Sequence, residues 1–197
     1  MEYLPIIQHF YPTDTPLRRL LVLHSECVRD KALQILQLSQ PSQPLPINPS
    51  LVIAGAMLHD IGICATYAPG ILCEGDEPYI CHGTIGARML RQLIAECSYS
   101  AEDAAMLEAC ARICERHTGA GLTRENILAQ KLPIEPAVDL LPETPEEKLV
   151  CLADKFFSKS GDPTKEKSLE HVRRSMMKFG ADSLERFEQL CTLFNIK

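Results

Sequence analysis

The residues best able to do chemistry in this chain are histidines and aspartates set in apolar surroundings. His59-Asp60 closes the run from Leu51 to Leu58, the most apolar stretch of the sequence, where two polar side chains are costly unless something satisfies them. A metal ion is one such partner. A histidine hydrogen-bonded to a neighbouring carboxylate or carbonyl is the commoner reason for such a pair, so the pair alone decides nothing. His24, His82, His117 and Asp154 widen the case. Each interrupts mainly apolar sequence on a different expected helix or helix end, so one packed bundle could aim all of them inward. Imidazoles and carboxylates together suit iron, manganese or zinc. His9, in an N-terminal extension, and His171, in a charged stretch, read as surface residues.

The elements that must position these side chains are helical. Asp14-Thr15-Pro16 is a helix start, and Leu17, Leu20, Leu21, Val28, Leu33 and Leu36 recur at helical spacing, so a first long helix carries His24 and stops near Gln40. The proline-rich segment from Pro41 to Pro49 makes an extended connection. Asn48-Pro49 opens a second helix that is apolar on nearly every side and therefore central, ending at His59-Asp60 and Gly62. Tyr67 to Tyr79, with two glycines, two prolines and three acidic residues, reads as a surface loop or lid. Further helices are expected from about Cys81 to Cys97, from Ala101 to about Arg116, briefly within Thr123 to Lys131, from a capping box at Thr144 and Glu147 onward, and after Pro163 and Ala181. No internal repeat and no alternating strand pattern stands out. The expectation is an all-α bundle of about 7–9 helices in one domain of 197 residues, with a core over about 14–160 and residues 161–197 forming C-terminal helices packed on it.

Composition narrows the function. A net charge of −6 without a long basic run gives no support for binding a nucleic-acid polymer or an anionic membrane surface, and points to a small substrate. A phosphorylated one would need local cations or metal ions to supply a positive field. The nine cysteines are odd in number, irregularly spaced and without a C-x-x-C pair, so they read as reduced, mostly buried thiols. With no apolar run long enough to span a bilayer and no signal-like start, a cytoplasmic location is expected.

At this point the sequence resembles the HD superfamily in its HDIG branch, whose signature is a first-helix histidine, an adjacent His-Asp and a later aspartate. Here these are His24, His59-Asp60 within His59-Asp60-Ile61-Gly62, and Asp154 within Leu152-Ala153-Asp154-Lys155. The segments Cys81 to Ala87 and Arg116 to Leu122 are similar to the two extra histidine motifs of dinuclear members. The resemblance implies one metal held by His24, His59, Asp60 and Asp154, and a second by Asp60 as a bridge with His82 and His117. It implies two divalent ions, iron or manganese first, with zinc, cobalt, nickel or magnesium as alternatives. It also implies hydrolysis of a phosphomonoester or phosphodiester of nucleotide-like character by a metal-activated hydroxide, with His59 and Asp60 central to catalysis. Arg88, Arg116 and Lys155 lie near these ligands in sequence and are candidates for phosphate contact, although surface salt bridges are the commoner role. Ile63-Cys64 stands where many HDIG enzymes carry a lysine, so that lysine's role does not transfer. Two other classes stay open on the same ligands: a di-iron oxygenase resembling inositol oxygenase, and a module that binds a nucleotide without turnover.

Overall fold

The computed structural model describes residues 1–38 and 45–197; the part of the expected proline-rich connection at 41–44 lies outside the described residues. Nine α-helices occur among them. These are α1 (Leu4–Phe10), α2 (Pro16–Leu38), α3 (Pro49–Leu58), α4 (His82–Glu96), α5 (Ala101–Arg116), α6 (Arg124–Ala129), α7 (Pro145–Asp154), α8 (Leu169–Met177) and α9 (Ala181–Leu193). The fold is all-α apart from one small sheet.

Local chemistry fixes most helix starts. Asn48 caps α3 by accepting from the amides of Ser50 and Leu51, and the Thr15 hydroxyl accepts from Arg18 at the start of α2. Thr144 and Glu147 form the reciprocal capping box at α7, and Thr123 with Asn126 forms another at α6. Each such cap satisfies amides that would otherwise be orphaned and contributes about 1 kcal/mol.

The apolar decapeptide of α3 lies at the centre, as its lack of a polar face requires. Val52 and Ala56 join a core cluster with Val28, Ala32 and Ile35 of α2, Leu149, Val150 and Leu152 of α7, and Val172, Phe187 and Phe194 from the C-terminal helices. Ala54, Met57 and Leu58 join a second cluster with Leu21 of α2, Leu90 of α4 and Leu107 and Ala111 of α5. The C-terminal end of α3 is thereby wedged between elements that carry the other polar candidates. The apolar faces of α8 and α9 complete the first cluster.

Two parts of the chain depart from the sequence expectation. The segment from Thr66 to Pro78 is no open loop: β1 (Thr66–Ala68) pairs antiparallel with β2 (Cys73–Glu74) and parallel with β3 (Glu77–Pro78), in the order β2-β1-β3. Strands of two or three residues are too short to show a period-2 pattern, which is why alternation was not visible. Ile71 and Cys73 are buried, so the segment is packed down rather than free. The N-terminal extension is also structured, because Ile6, Ile7 and Tyr11 bury into the second cluster.

Candidate metal centre

Six side chains from five helices and a 3-10 turn converge at one point. His24 projects from α2, His59 caps the end of α3, and Asp60 follows it into a 3-10 turn, Ile61–Ala65. His82 begins α4, His117 caps the end of α5, and Asp154 ends α7. Ligand atoms of His24, His59, Asp60 and Asp154 lie within 4.8 Å of one another, as do those of Asp60, His82 and His117. Asp60 serves both groups with different oxygens. Its Oδ2 is 3.2 Å from His24 Nε2 and 3.0 Å from His59 Nε2, while its Oδ1 is 3.4 Å from His82 Nε2 and 3.5 Å from His117 Nε2.

Close backbone packing makes this convergence possible. A Cβ on Gly62 would press against the His82 carbonyl oxygen and stand 2.5 Å from the Gly86 nitrogen, and one on Gly83 would meet the Cys114 carbonyl. Glycine at these positions lets the turn after Asp60, the start of α4 and the end of α5 touch through main chain. Tyr11 braces the same turn, donating its hydroxyl to Ile61 O at 2.8 Å and accepting from the Cys64 amide at 3.1 Å. Nothing in the sequence singled Tyr11 out.

The hydrogen bonds determine the histidine tautomers. Nδ1 of His59 lies 2.6 Å from Ala56 O, that of His82 2.7 Å from Tyr79 O, and that of His117 2.7 Å from Cys114 O. A carbonyl can only accept, so a proton sits on each Nδ1, and the Nε2 lone pairs of the neutral imidazoles face the cluster. His82 and His117 are held neutral by burial, which pushes His82 down to about 3 and His117 below its ordinary value despite the attraction of Asp60. Yet their Nε2 atoms stand 3.1 Å apart. Two acceptors at that distance repel unless a cation lies against both.

Asp60 is fully buried, and neither of its oxygens has a properly directed hydrogen bond despite the close approach of Nε2 atoms and of an ammonium; His59 Nε2 is orphaned as well. Burial opposes its charge, but His59 and Lys159 outweigh that and hold its carboxyl well below the usual range. Burial likewise opposes a proton on His59, and Asp60 and Asp154 overcome it, lifting the imidazole to about 9. The opposed lone pairs of His82 and His117 and an N/O donor set around a shared carboxylate fit divalent metal.

His24, His82, His117 and Asp154 line a cavity of about 600 Å³, within the range of small-molecule sites, while His59 and Asp60 are fully buried outside its lining. Apolar Ile80, Leu122, Leu132, Phe157, Met176 and Phe179 line its body. Tyr79, also in the lining, stacks on His82 with ring centroids 4.7 Å apart. Of the three basic residues expected at a phosphate, Lys155 alone lines the cavity, its Nζ donating to His117 O at 3.0 Å and pairing with Asp154 at 2.6 Å. Arg88 is exposed on α4 away from the lining. Arg116 turns aside to Leu141 O at 2.7 Å and Glu143 at 2.9 Å, where it ties down the loop before α7. Proximity in sequence to a ligand put neither guanidinium in the cavity, because side chains next to each other on a helix point in different directions. Lys159, which the sequence did not flag, reaches the centre instead, 2.5 Å from Asp60 Oδ2 and 3.3 Å from His24 Nε2.

The model of the HD domain family matches residues 22–158, a span containing all six converging side chains. The chain belongs to the HD domain family. Among relatives of this HD chain, a tRNA (cytidine(56)-2'-O)-methyltransferase of Picrophilus torridus is 35% identical over 139 residues, covering 71% of this chain and 32% of its own length. The protein of the same name from Thermoplasma volcanium is 32% identical over 171 residues, with coverage of 86% and 40%. An uncharacterized protein of Methanocaldococcus jannaschii is 34% identical over 137 residues, 70% of this chain and 66% of that protein. The HD chain thus spans a third to two fifths of the methyltransferase-named relatives and about two thirds of the third. No solved structure matches it. None of its described helices is long and apolar enough to cross a membrane.

Proposed function

We propose that this HD chain is a metal-dependent phosphohydrolase, acting as a phosphomonoesterase or phosphodiesterase on a small, nucleotide-like substrate. The observation that carries the reading is the sharing of Asp60 between two donor groups, His24, His59 and Asp154 on one side and His82 and His117 on the other, of which His24, Asp154, His82 and His117 line a small-molecule cavity. Divalent cations bound there would supply the Lewis acidity that lowers the pKa of water and draws charge from a phosphoryl oxygen.

The protein's own part is positioning. The three Nδ1–H bonds to main-chain carbonyls lock the imidazole planes, so Nε2 atoms stay aimed at the cluster without reorganisation. Burial of Asp60 and of all four histidines excludes bulk water from the donor side, leaving the cavity as the approach for substrate. The apolar walls, with Phe157 and Phe179, suit a planar or apolar body attached to the reacting group. Methyl transfer stays with the relatives that bear that name, of which this chain covers 32% and 40%.

The test is elemental analysis of protein purified without chelator or affinity-tag metal, paired with hydrolysis of p-nitrophenyl phosphate and bis-p-nitrophenyl phosphate across added manganese, iron, cobalt, zinc and magnesium. Metal-dependent turnover that disappears in Asp60→Asn supports the reading. Bound metal with no hydrolysis of either ester, or turnover indifferent to Asp60, overturns it.

A further inference from the structure

Behind the metal centre the chain leaves α7 and runs as a strap that places three lysines in one cavity, and we propose that Lys159 and Lys167, with Lys155, form an anion cradle that selects a phosphomonoester dianion over a phosphodiester. This rests on the phosphohydrolase reading above and narrows its substrate class.

The cradle is visible in the charge balance of the cavity. In a chain of net charge −6, the lining carries Lys155, Lys159, Lys167 and Arg186 against a single carboxylate, Asp154. The side chains of Lys155 and Lys159 are only 8% and 10% exposed, so each ammonium needs an anionic partner. Lys155 uses Asp154 and Lys159 uses Asp60, the same two carboxylates that belong to the metal-ligand cluster. Carboxylate charge committed to divalent cations no longer balances the ammoniums, which then require another anion.

Lys167 sharpens the point. Its amide bonds to Phe156 O, which folds the strap back, and among the described residues its Nζ meets only the carbonyls of Lys155 and Phe157 and forms no salt bridge. Burial, then the neighbouring Lys155 and Lys159 ammoniums, pull its ionisation below that of an ordinary lysine, opposed by Asp154. A half-buried ammonium that lines the same cavity as two others, with no carboxylate paired to it, is a site prepared for negative charge brought from outside. Ser158 and Ser160, flanking Lys159 in the lining, add hydroxyl donors. A phosphomonoester presents two charges and three terminal oxygens to such a group, whereas a diester presents one charge and two, so the cradle favours the former.

The experiment is calorimetric titration of manganese-loaded protein with inorganic phosphate and with dimethyl phosphate, for wild type, Lys159→Met, Lys167→Met and the exposed control Lys165→Met, with manganese content measured on each. Phosphate should bind wild type and Lys165→Met alike, and roughly tenfold or more weakly in Lys159→Met and in Lys167→Met at unchanged metal content. Dimethyl phosphate should bind wild type at least about tenfold more weakly than phosphate. Unchanged phosphate affinity in Lys167→Met, equal affinity for the two anions, or no phosphate binding by wild type would overturn the cradle. So would loss of manganese in Lys159→Met, since the lysine would then hold the ligands rather than the anion. Because the readout is binding, failure of ester hydrolysis with the lysine dependence intact would count against the hydrolase reading alone.

Discussion

His82 and His117 face each other through their Nε2 atoms at 3.1 Å, each with its Nδ1 already committed to a carbonyl three residues back along its own chain. Protonating one of them would relieve the clash of lone pairs, but burial pushes both away from the charged form. Asp60 Oδ1, at 3.4 and 3.5 Å, adds a third acceptor to the same point. A divalent cation is the species that three such acceptors share at least cost.

From this follows a graded loss of metal. Asp60→Asn, which weakens the donor common to both groups, should lower bound metal at both. His82→Ala should remove the smaller group's share and leave His24, His59 and Asp154 to hold one ion. His171→Ala, exposed on α8, should change nothing. Metal-to-protein ratios from elemental analysis check the series; equal loss in all three variants would sink the ligand assignment. Removing metal with a chelator should also lower the thermal midpoint, and metal at about a hundred times its dissociation constant should restore about 2.7 kcal/mol per site.

A second expectation concerns main chain rather than ligands. Gly62 lies in buried contact with the His82 carbonyl and the Gly86 amide. A methyl group there must push the 3-10 turn away from α4, and with it Asp60 away from His82. Gly62→Ala should therefore cost about 3 kcal/mol, a fall of roughly 6–12 °C in the thermal midpoint for a chain of this size. Gly70→Ala, where an added Cβ meets nothing within 4 Å, is the control. If calorimetry gives the two variants the same midpoint, the close approach is not what Gly62 provides.

The ease with which this centre is read from sequence has a physical limit. His24, His59-Asp60, His82, His117 and Asp154 are polar residues inside apolar helical patterns, and that is a local signal, because burying such groups demands a reason. Helix starts at Thr15, Asn48 and Thr144 are local too, written in capping side chains. Lys159 sits in Ser158-Lys159-Ser160-Gly161-Asp162, a composition in which charged residues belong to the surface by default. Its burial comes from the strap folding back through Lys167 onto Phe156, a tertiary event without periodicity. The same holds for Tyr11, whose partners Ile61 and Cys64 lie 50 and 53 residues away. Arg88 and Arg116 lie outside the cavity lining, since nearness in sequence to a ligand says little about where a helical side chain points.

The cysteines allow a last test, of the core itself. None of the nine forms a disulfide, and Cys73, Cys81, Cys110, Cys114, Cys151 and Cys191 are buried while Cys97 is exposed. Burial pushes the Cys110 and Cys191 thiols up to about 12 and Cys151 to about 11. A raised thiol pKa means less thiolate at a given pH, and thiolate is the reactive form. With a disulfide reagent at pH 8, the native protein should therefore label Cys97 quickly and at most the half-buried Cys27 and Cys64 more slowly, with all nine reacting in denaturant. Raising the pH from 7 to 9 should accelerate this accessible class without enlarging it, since both values remain below the range where the buried thiols ionise. Reaction of more than three thiols in the folded protein, followed by mass spectrometry of labelled peptides, would mean that the two core clusters around α3 open more readily than their packing implies.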